Sequence, residues 1–155
     1  MPHRRIATMA VAAIVCFLVL SQYDPQFFLL HIYESAIYMV LLFLLMYEEE
    51  EWAFVLGMAA PAAWVLLITA TNFHGILRQI GRVLHFQSPD YPANFIGGIC
   101  VLISVLMFGS CLYCWKHERW GFRHAWRTIG AIATVVAIYY GILVFWFSRL
   151  VMAKS

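Results

Sequence analysis

The sequence predicts an all-α fold: a polytopic membrane helical bundle with about five transmembrane helices and one interfacial amphipathic helix. Three observations carry that expectation. Of the 155 residues, 64% are hydrophobic and only 12% are charged, against roughly 25% charged in soluble domains. Mean hydropathy is +0.81. The apolar residues also gather into five runs, at about 6–22, 27–47, 52–72, 94–115 and 126–148, each of the length that crosses about 30 Å of hydrocarbon as a helix. The whole chain, 1–155, reads as a single transmembrane domain. A net charge of +2 without a clustered basic motif gives no basis for nucleic-acid binding. Cys16, Cys100, Cys111 and Cys114 fall in or at the ends of apolar runs, which is not the framework of a small secreted disulfide domain.

The first run follows His3, Arg4 and Arg5 and extends from Ile6 to Leu20. A cleaved signal would need a small-residue A-x-A-like site after it, and none follows, so a retained first helix is expected. Asp24 and Pro25 then turn the chain, because proline cannot continue a helix and the residue before it avoids the α region.

The second run, Phe27 to Tyr47, carries a charge inside its apolar span. His31, Glu34, Ser35 and Tyr38 stand at i, i+3, i+4 and i+7, one stripe on a helical surface. The run stops at Glu48, Glu49, Glu50 and Glu51, four carboxylates that place Tyr47 to Trp52 at a membrane–water boundary. The third run holds Pro61 among Gly57, Ala59, Ala60, Ala62 and Ala63. A proline there bends the helix and frees a carbonyl, while small neighbours permit close packing; a packing kink is the plain reading and a gating hinge the sharper one.

Residues 73–86 change character. Phe73, Ile76, Leu77, Ile80, Val83 and Leu84 fall on one helical face and His74, Arg78, Gly81, Arg82 and His85 on the other. That pattern predicts an amphipathic helix lying at the interface, with Arg78 and Arg82 reaching lipid headgroups. Residues 87–92 follow as a surface loop. The fourth run opens with Asn94 as an expected N-cap and with Gly97-Gly98, which admit a close neighbour. A basic aromatic link, Lys116 to Arg127, carries Trp115, Trp120 and Trp126 at or in it, as a membrane belt does. In the fifth run Gly130, Thr134, Ala137 and Gly141 form a smooth face suited to packing against another helix.

Five spans put the termini on opposite sides. With the N-terminus inside, Arg4, Arg5, Lys116, Arg119, Arg123 and Arg127 are cytoplasmic and Arg78, Arg82, Arg149 and Lys154 are outside, so the positive-inside rule favours N-in and C-out, as in a bacterial inner membrane. The acidic run then faces the basic link and can pair with it.

The stripe His31, Glu34, Ser35 and Tyr38 is the principal candidate site, because a carboxylate inside hydrocarbon must be paired, protonated or hydrated. An ion pair with Arg149 fits the expected depth; a protonated Glu34 bonded to Tyr, Ser or His is the plain alternative. No cofactor is demanded by a motif. A quinone or haem near His31, Glu34 and Tyr38 is the cofactor reading, and His31, His74 and His85 share the expected outer side as possible haem or zinc ligands. Cys111, Cys114, His117 and His124 give C-x2-C-x2-H-x6-H, a loose match to a zinc site at the inner end of the fourth run.

The tetrapeptide Cys111-Leu112-Tyr113-Cys114 resembles the C-x-x-C of quinone-linked disulfide oxidoreductases of the vitamin K epoxide reductase type, which are also small helical membrane proteins. The resemblance implies a second cysteine pair to relay electrons. Cys16 and Cys100 stand singly in separate spans, so the likeness ends at the tetrapeptide and the general build. No Walker motif, nucleophile elbow, H-E-x-x-H or EF-hand loop is present.

The functional expectation is a non-catalytic accessory subunit of a larger membrane complex, of the respiratory or photosynthetic electron-transfer kind, partnered by other integral membrane subunits and by lipids. The alternative is a quinone- or haem-binding redox subunit using His31 and Glu34. A small transporter or channel ranks third, since Met39 to Met46 offers no polar path.

Overall fold

The computed structural model describes residues 2–47, 50–117 and 122–152, and the side chains of all of these except 2, 50, 122–125 and 150–152. Glu48, Glu49, Arg119, Trp120 and Lys154, with the side chains of Arg123 and His124, lie outside the described residues. The expected pairing of the acidic run with the basic link falls there.

The chain forms α1 (Pro2–Tyr23), a 3-10 turn (Pro25–Phe27), α2 (Phe28–Met46), α3 (Glu50–Leu84), α4 (Pro92–His117) and α5 (Phe122–Met152), with no strand among the described residues. All five helices are long and apolar enough to cross a membrane. α1 packs on α2 and α4, and α3 packs on the same two, so these four close a ring; α5 lies outside it against α3, with a narrow edge on α2.

The turns match their residue types. The α1–α2 hairpin closes where Asp24, at φ −129° and ψ 73°, precedes Pro25, the extended backbone that a following proline imposes. At the same end of the ring α3 terminates with Gln87 N–H donating to Arg82 O and Phe86 N–H to Val83 O. That crossed pair is a Schellman motif, and its left-handed position, φ 58°, is filled by Phe86 rather than glycine.

α3 is two helical stretches joined across a kink. The segment expected as a separate helix at 73–86 follows that kink and runs to Leu84. Helical backbone runs through Pro61, and the one non-helical residue inside α3 is Asn72, at φ −143° and ψ 23°. Asn72 gains a partner by leaving the helix: its Nδ2 donates to Asn94 Oδ1 at 2.8 Å. Asn94 is consequently not an N-cap. α4 begins two residues earlier at Pro92, the proline-first start whose missing N–H costs a helix nothing. Beyond the break, Ile76 and Ile80 lie on the bare backbone of Gly98, where a Cβ would come within 3.2 and 3.0 Å of them. The close neighbour expected at Gly97-Gly98 is therefore the second half of α3.

The ring is filled by an aromatic layer. Phe17 meets the Trp64 ring edge-on at 5.2 Å and stacks on Tyr38 at 5.7 Å, and all three are fully buried. α5 is held differently. Tyr33 and Tyr139 stack at 4.3 Å, and each hydroxyl donates to the other residue's backbone carbonyl.

Candidate functional site

The end of the bundle where α1 and α5 finish and α2 and α4 begin encloses a cavity of about 310 Å³. Its walls are mostly aliphatic and aromatic, from Leu20, Phe27, Leu67, Ile76 and Phe147. Its polar groups are few: Asp24, His31, Glu34, Trp64, Thr71, and the pair Asn72 and Asn94. An apolar chamber with a few convergent polar groups is the usual form of a small-molecule site.

The helical stripe read from the sequence supplies the centre of that set. Glu34, Ser35 and Tyr38 are buried, and His31 is nearly so, with 12% of its side chain exposed. His31 Nδ1 lies 2.8 Å from Glu34 Oε2, one helical turn away on the same face. A contact that short between an imidazole nitrogen and a carboxyl oxygen holds one proton between them. The other carboxyl oxygen, Oε1, accepts the indole N–H of Trp64 at 3.1 Å. Glu34 thus has both oxygens occupied, which offsets the roughly 2.5–3.5 kcal/mol that a charged side chain costs near the centre of a span. The ion pair with Arg149 is not formed: Arg149 turns its guanidinium over the Phe145 ring, 5.0 Å from the centroid.

The outer nitrogen of His31 is unsettled. Nε2 is buried without a hydrogen-bond partner, and the nearest carboxylate, Asp24 Oδ2, stands 4.0 Å away. That is beyond hydrogen-bond reach. Asp24, His31 and Glu34 therefore run from the mouth of the cavity to its floor with one gap, between Asp24 and His31.

Beneath the floor lies a second polar group. The hydroxyls of Tyr38 on α2, Ser104 on α4 and Tyr140 on α5 are all buried without a hydrogen-bond partner. Tyr38 reaches toward both of the others, yet none of the three meets hydrogen-bond geometry. An unpaired buried hydroxyl costs about 1–3 kcal/mol.

The other candidate residues are dispersed. Cys111 and Cys114 are buried on the inner face of α4, where Cys111 packs on the bare backbone of Gly57. His117 turns outward, its Nδ1 2.9 Å from Tyr113 O and its ring stacked on Tyr113 at 4.0 Å. The two cysteines and His117 do not converge, and the His124 side chain is outside the described residues. His74 and His85 are exposed and do not line the cavity with His31. Among the described residues no three His, Cys, Asp or Glu side chains are grouped as metal ligands. Arg78 is exposed, whereas Arg82 ties down the α3–α4 loop through Asp90 at 2.5 Å and Ser88 O at 3.2 Å. Gly130, Thr134, Ala137 and Gly141 all point away from the rest of the chain, and α5 buries Thr128, Ile132, Val136, Tyr140 and Leu143 instead.

Sequence reasoning missed Asp24, which reads as a turn residue, and Trp64, Asn72, Ser104 and Tyr140. A signal existed for Trp64: tryptophan belongs at the ends of a span, and one in mid-span must find a partner for its indole N–H. No protein-family model matches the chain, and no similar curated protein or solved structure is found.

Proposed function

We propose that this protein is an integral membrane subunit that binds a small lipophilic molecule with a carbonyl-bearing head group, of the quinone class, in the cavity at His31. The observation that carries the reading is the orphaned Nε2 of His31 beside an apolar chamber. An acceptor carbonyl placed there accepts a hydrogen bond from Nε2–H while Glu34 holds Nδ1, and the apolar walls receive the ring or tail. The cavity volume, near the lower end of the usual 300–1,000 Å³ range, suits a single-ring head group better than a haem.

In this reading the chain lies in a bacterial inner membrane with its N-terminus cytoplasmic, supported by the positive-charge bias of its short loops. The cavity then opens in the outer half of the bilayer. Residues 73–84, polar on one face, lie at the outer interface, with Arg78 available to a lipid headgroup.

The test is a titration of the purified protein with a short-chain benzoquinone, followed by quenching of tryptophan fluorescence, since Trp64 forms part of the chamber. Saturable quenching that disappears in His31→Phe is the expected result. Equal quenching in wild type and His31→Phe would overturn the assignment.

A second reading, an accessory subunit that packs against other membrane proteins, rests on the outward small-residue face of α5. A Cβ built on Gly130 or Gly141 meets nothing within 4 Å, leaving room for another helix to approach closely. A channel is disfavoured because Phe17, Tyr38 and Trp64 close the bundle below the cavity.

A further inference from the structure

The polar side chains of the cavity differ in what they have left to offer a ligand. Trp64 commits its indole N–H to Glu34, and Thr71 turns its hydroxyl back to Leu67 O at 2.9 Å. Both oxygens of Glu34 are occupied, and the Asp24 carboxylate can only accept. Open side-chain donors remain in two places, His31 Nε2 and the amides of Asn72 and Asn94. Each amide carries two N–H donors, yet the two share a single hydrogen bond, Asn72 Nδ2 to Asn94 Oδ1 at 2.8 Å. Asn94 Nδ2 makes no hydrogen bond among the described residues. Exchanging O and N in both amides keeps the bond and opens the Asn72 nitrogen instead, so the pair presents an unused N–H2 in either orientation. Its place is set by the backbone. Asn72 stands at the α3 kink and Asn94 in the first turn of α4, and a Cβ on Gly75 would collide with Asn72 Oδ1 and lie 3.0 Å from Asn94 Nδ2. Glycine at 75 is what admits both amide heads.

We infer that Asn94, tied back by Asn72, is a second polar anchor of the cavity, so that the head group bound there carries two acceptor oxygens, one on His31 and one on Asn94. The inference rests on the carbonyl reading of the site given above. His31 belongs to α2 and Asn94 to α4, diagonal helices of the ring, and both line the same chamber of about 310 Å³ between aliphatic and aromatic walls. A para-quinone has the matching form, a flat apolar ring with a carbonyl at each end. An amide already fixed by a neighbour loses less side-chain freedom on binding than a free one. A ring with one carbonyl satisfies His31 and leaves the Asn94 N–H2 facing carbon, the arrangement by which a hydrogen-bonding site rejects an analogue that lacks the group.

Calorimetric titration of the intact purified protein with two rings tests it: duroquinone, the tetramethyl para-benzoquinone, and the cross-conjugated dienone in which a dimethyl-substituted carbon replaces one carbonyl. The wild type should bind duroquinone about three- to tenfold more tightly than the dienone, the worth of one hydrogen bond. Asn94→Asp keeps the acceptor for Asn72 and deletes the N–H2, so the preference should shrink to about one. His31→Phe should lose both rings. No binding of either ring, or binding that His31→Phe leaves unchanged, overturns the carbonyl reading and the second anchor together. Binding that depends on His31 but is equal for the two rings in the wild type, or that keeps its preference in Asn94→Asp, overturns the second anchor alone. The wild-type comparison needs no substitution, so the inference stays exposed to failure even if Asn94→Asp does not give a monodisperse protein.

Discussion

Trp64 donates its indole N–H to Glu34 across the α2–α3 interface at 3.1 Å, thirty residues away in sequence. That bond places a carboxyl group within an apolar helix on a rigid aromatic floor, because the same indole is gripped edge-on by Phe17. Replacing Trp64 with Phe keeps most of the aromatic area and deletes the donor. The expected effect is a loss of about 1–3 kcal/mol, the cost of one buried polar group left unsatisfied, measured as a lower unfolding midpoint in detergent. An unchanged midpoint would show that the bond contributes nothing.

Glu34 itself separates shape from ionisation. In Glu34→Gln the amide oxygen can still accept from Trp64 and the amide nitrogen can donate to His31 Nδ1, so assembly and stability should stay near those of wild type. Glu34→Leu strands both the indole N–H and the imidazole nitrogen, and yields of folded protein should fall. Comparable losses in the two variants would mean that the His31–Glu34 contact is an ion pair whose charge the fold requires.

α3 and α4 approach closely at Gly57, where an added Cβ would lie 2.5 Å from Cys111 Sγ. Gly57→Ala should therefore destabilise by about 1–3 kcal/mol, the usual cost of overpacking. Cys111→Ala in the same chain removes the offending sulfur and leaves Cβ at 3.7 Å. A double-mutant cycle should accordingly show a favourable coupling between the two substitutions of about 0.5–3 kcal/mol; additive effects would place the clash elsewhere.

The reciprocal Tyr33–Tyr139 contact is the main polar attachment of α5 to α2. Tyr139→Phe removes one hydrogen bond and retains the stack, so a small loss is expected, near the 0.6 kcal/mol average for polar contacts in membranes. Tyr139→Ala removes the stack as well, adding about 0.5–1.5 kcal/mol. Limited proteolysis at the α4–α5 link should accelerate in the same order, and a reversed order would locate the attachment in the apolar contacts alone.

Gly130→Leu and Gly141→Leu probe the outward face of α5. Both side chains enter open space, so the isolated chain should fold with an unchanged midpoint. Co-purification of other membrane proteins with the native chain, lost in either variant, would support the accessory-subunit reading. Retention in both would remove it.

The stripe on α2 was legible because a helix fixes which residues share a face. Once His31, Glu34, Ser35 and Tyr38 are aligned, the cost of a carboxylate in lipid turns that face inward. On α5 the same logic does not choose a neighbour within the chain. Its small-residue face and its opposite face are both tolerable to lipid, so periodicity cannot say which one meets α3, and the structure buries Ile132, Val136 and Leu143. Asn72, read as the end of a span, is where the helical backbone of α3 breaks, and the partner it finds there, Asn94, lies twenty-two residues on and is recorded in no local pattern.

By itself the sequence determined five apolar helices, the α1–α2 turn at Asp24-Pro25 and the inward stripe on α2. These follow from chain length against hydrocarbon thickness, from proline's missing N–H and from helical periodicity, all of which are local. Tertiary structure alone decided that Trp64 rather than Arg149 serves Glu34, that His31 Nε2 is left open to a cavity, and that three hydroxyls converge below it. Those depend on which helices become neighbours. In a chain with apolar surface on every side, neighbours are chosen by shape and by scarce polar groups finding one another, and no local pattern records that choice.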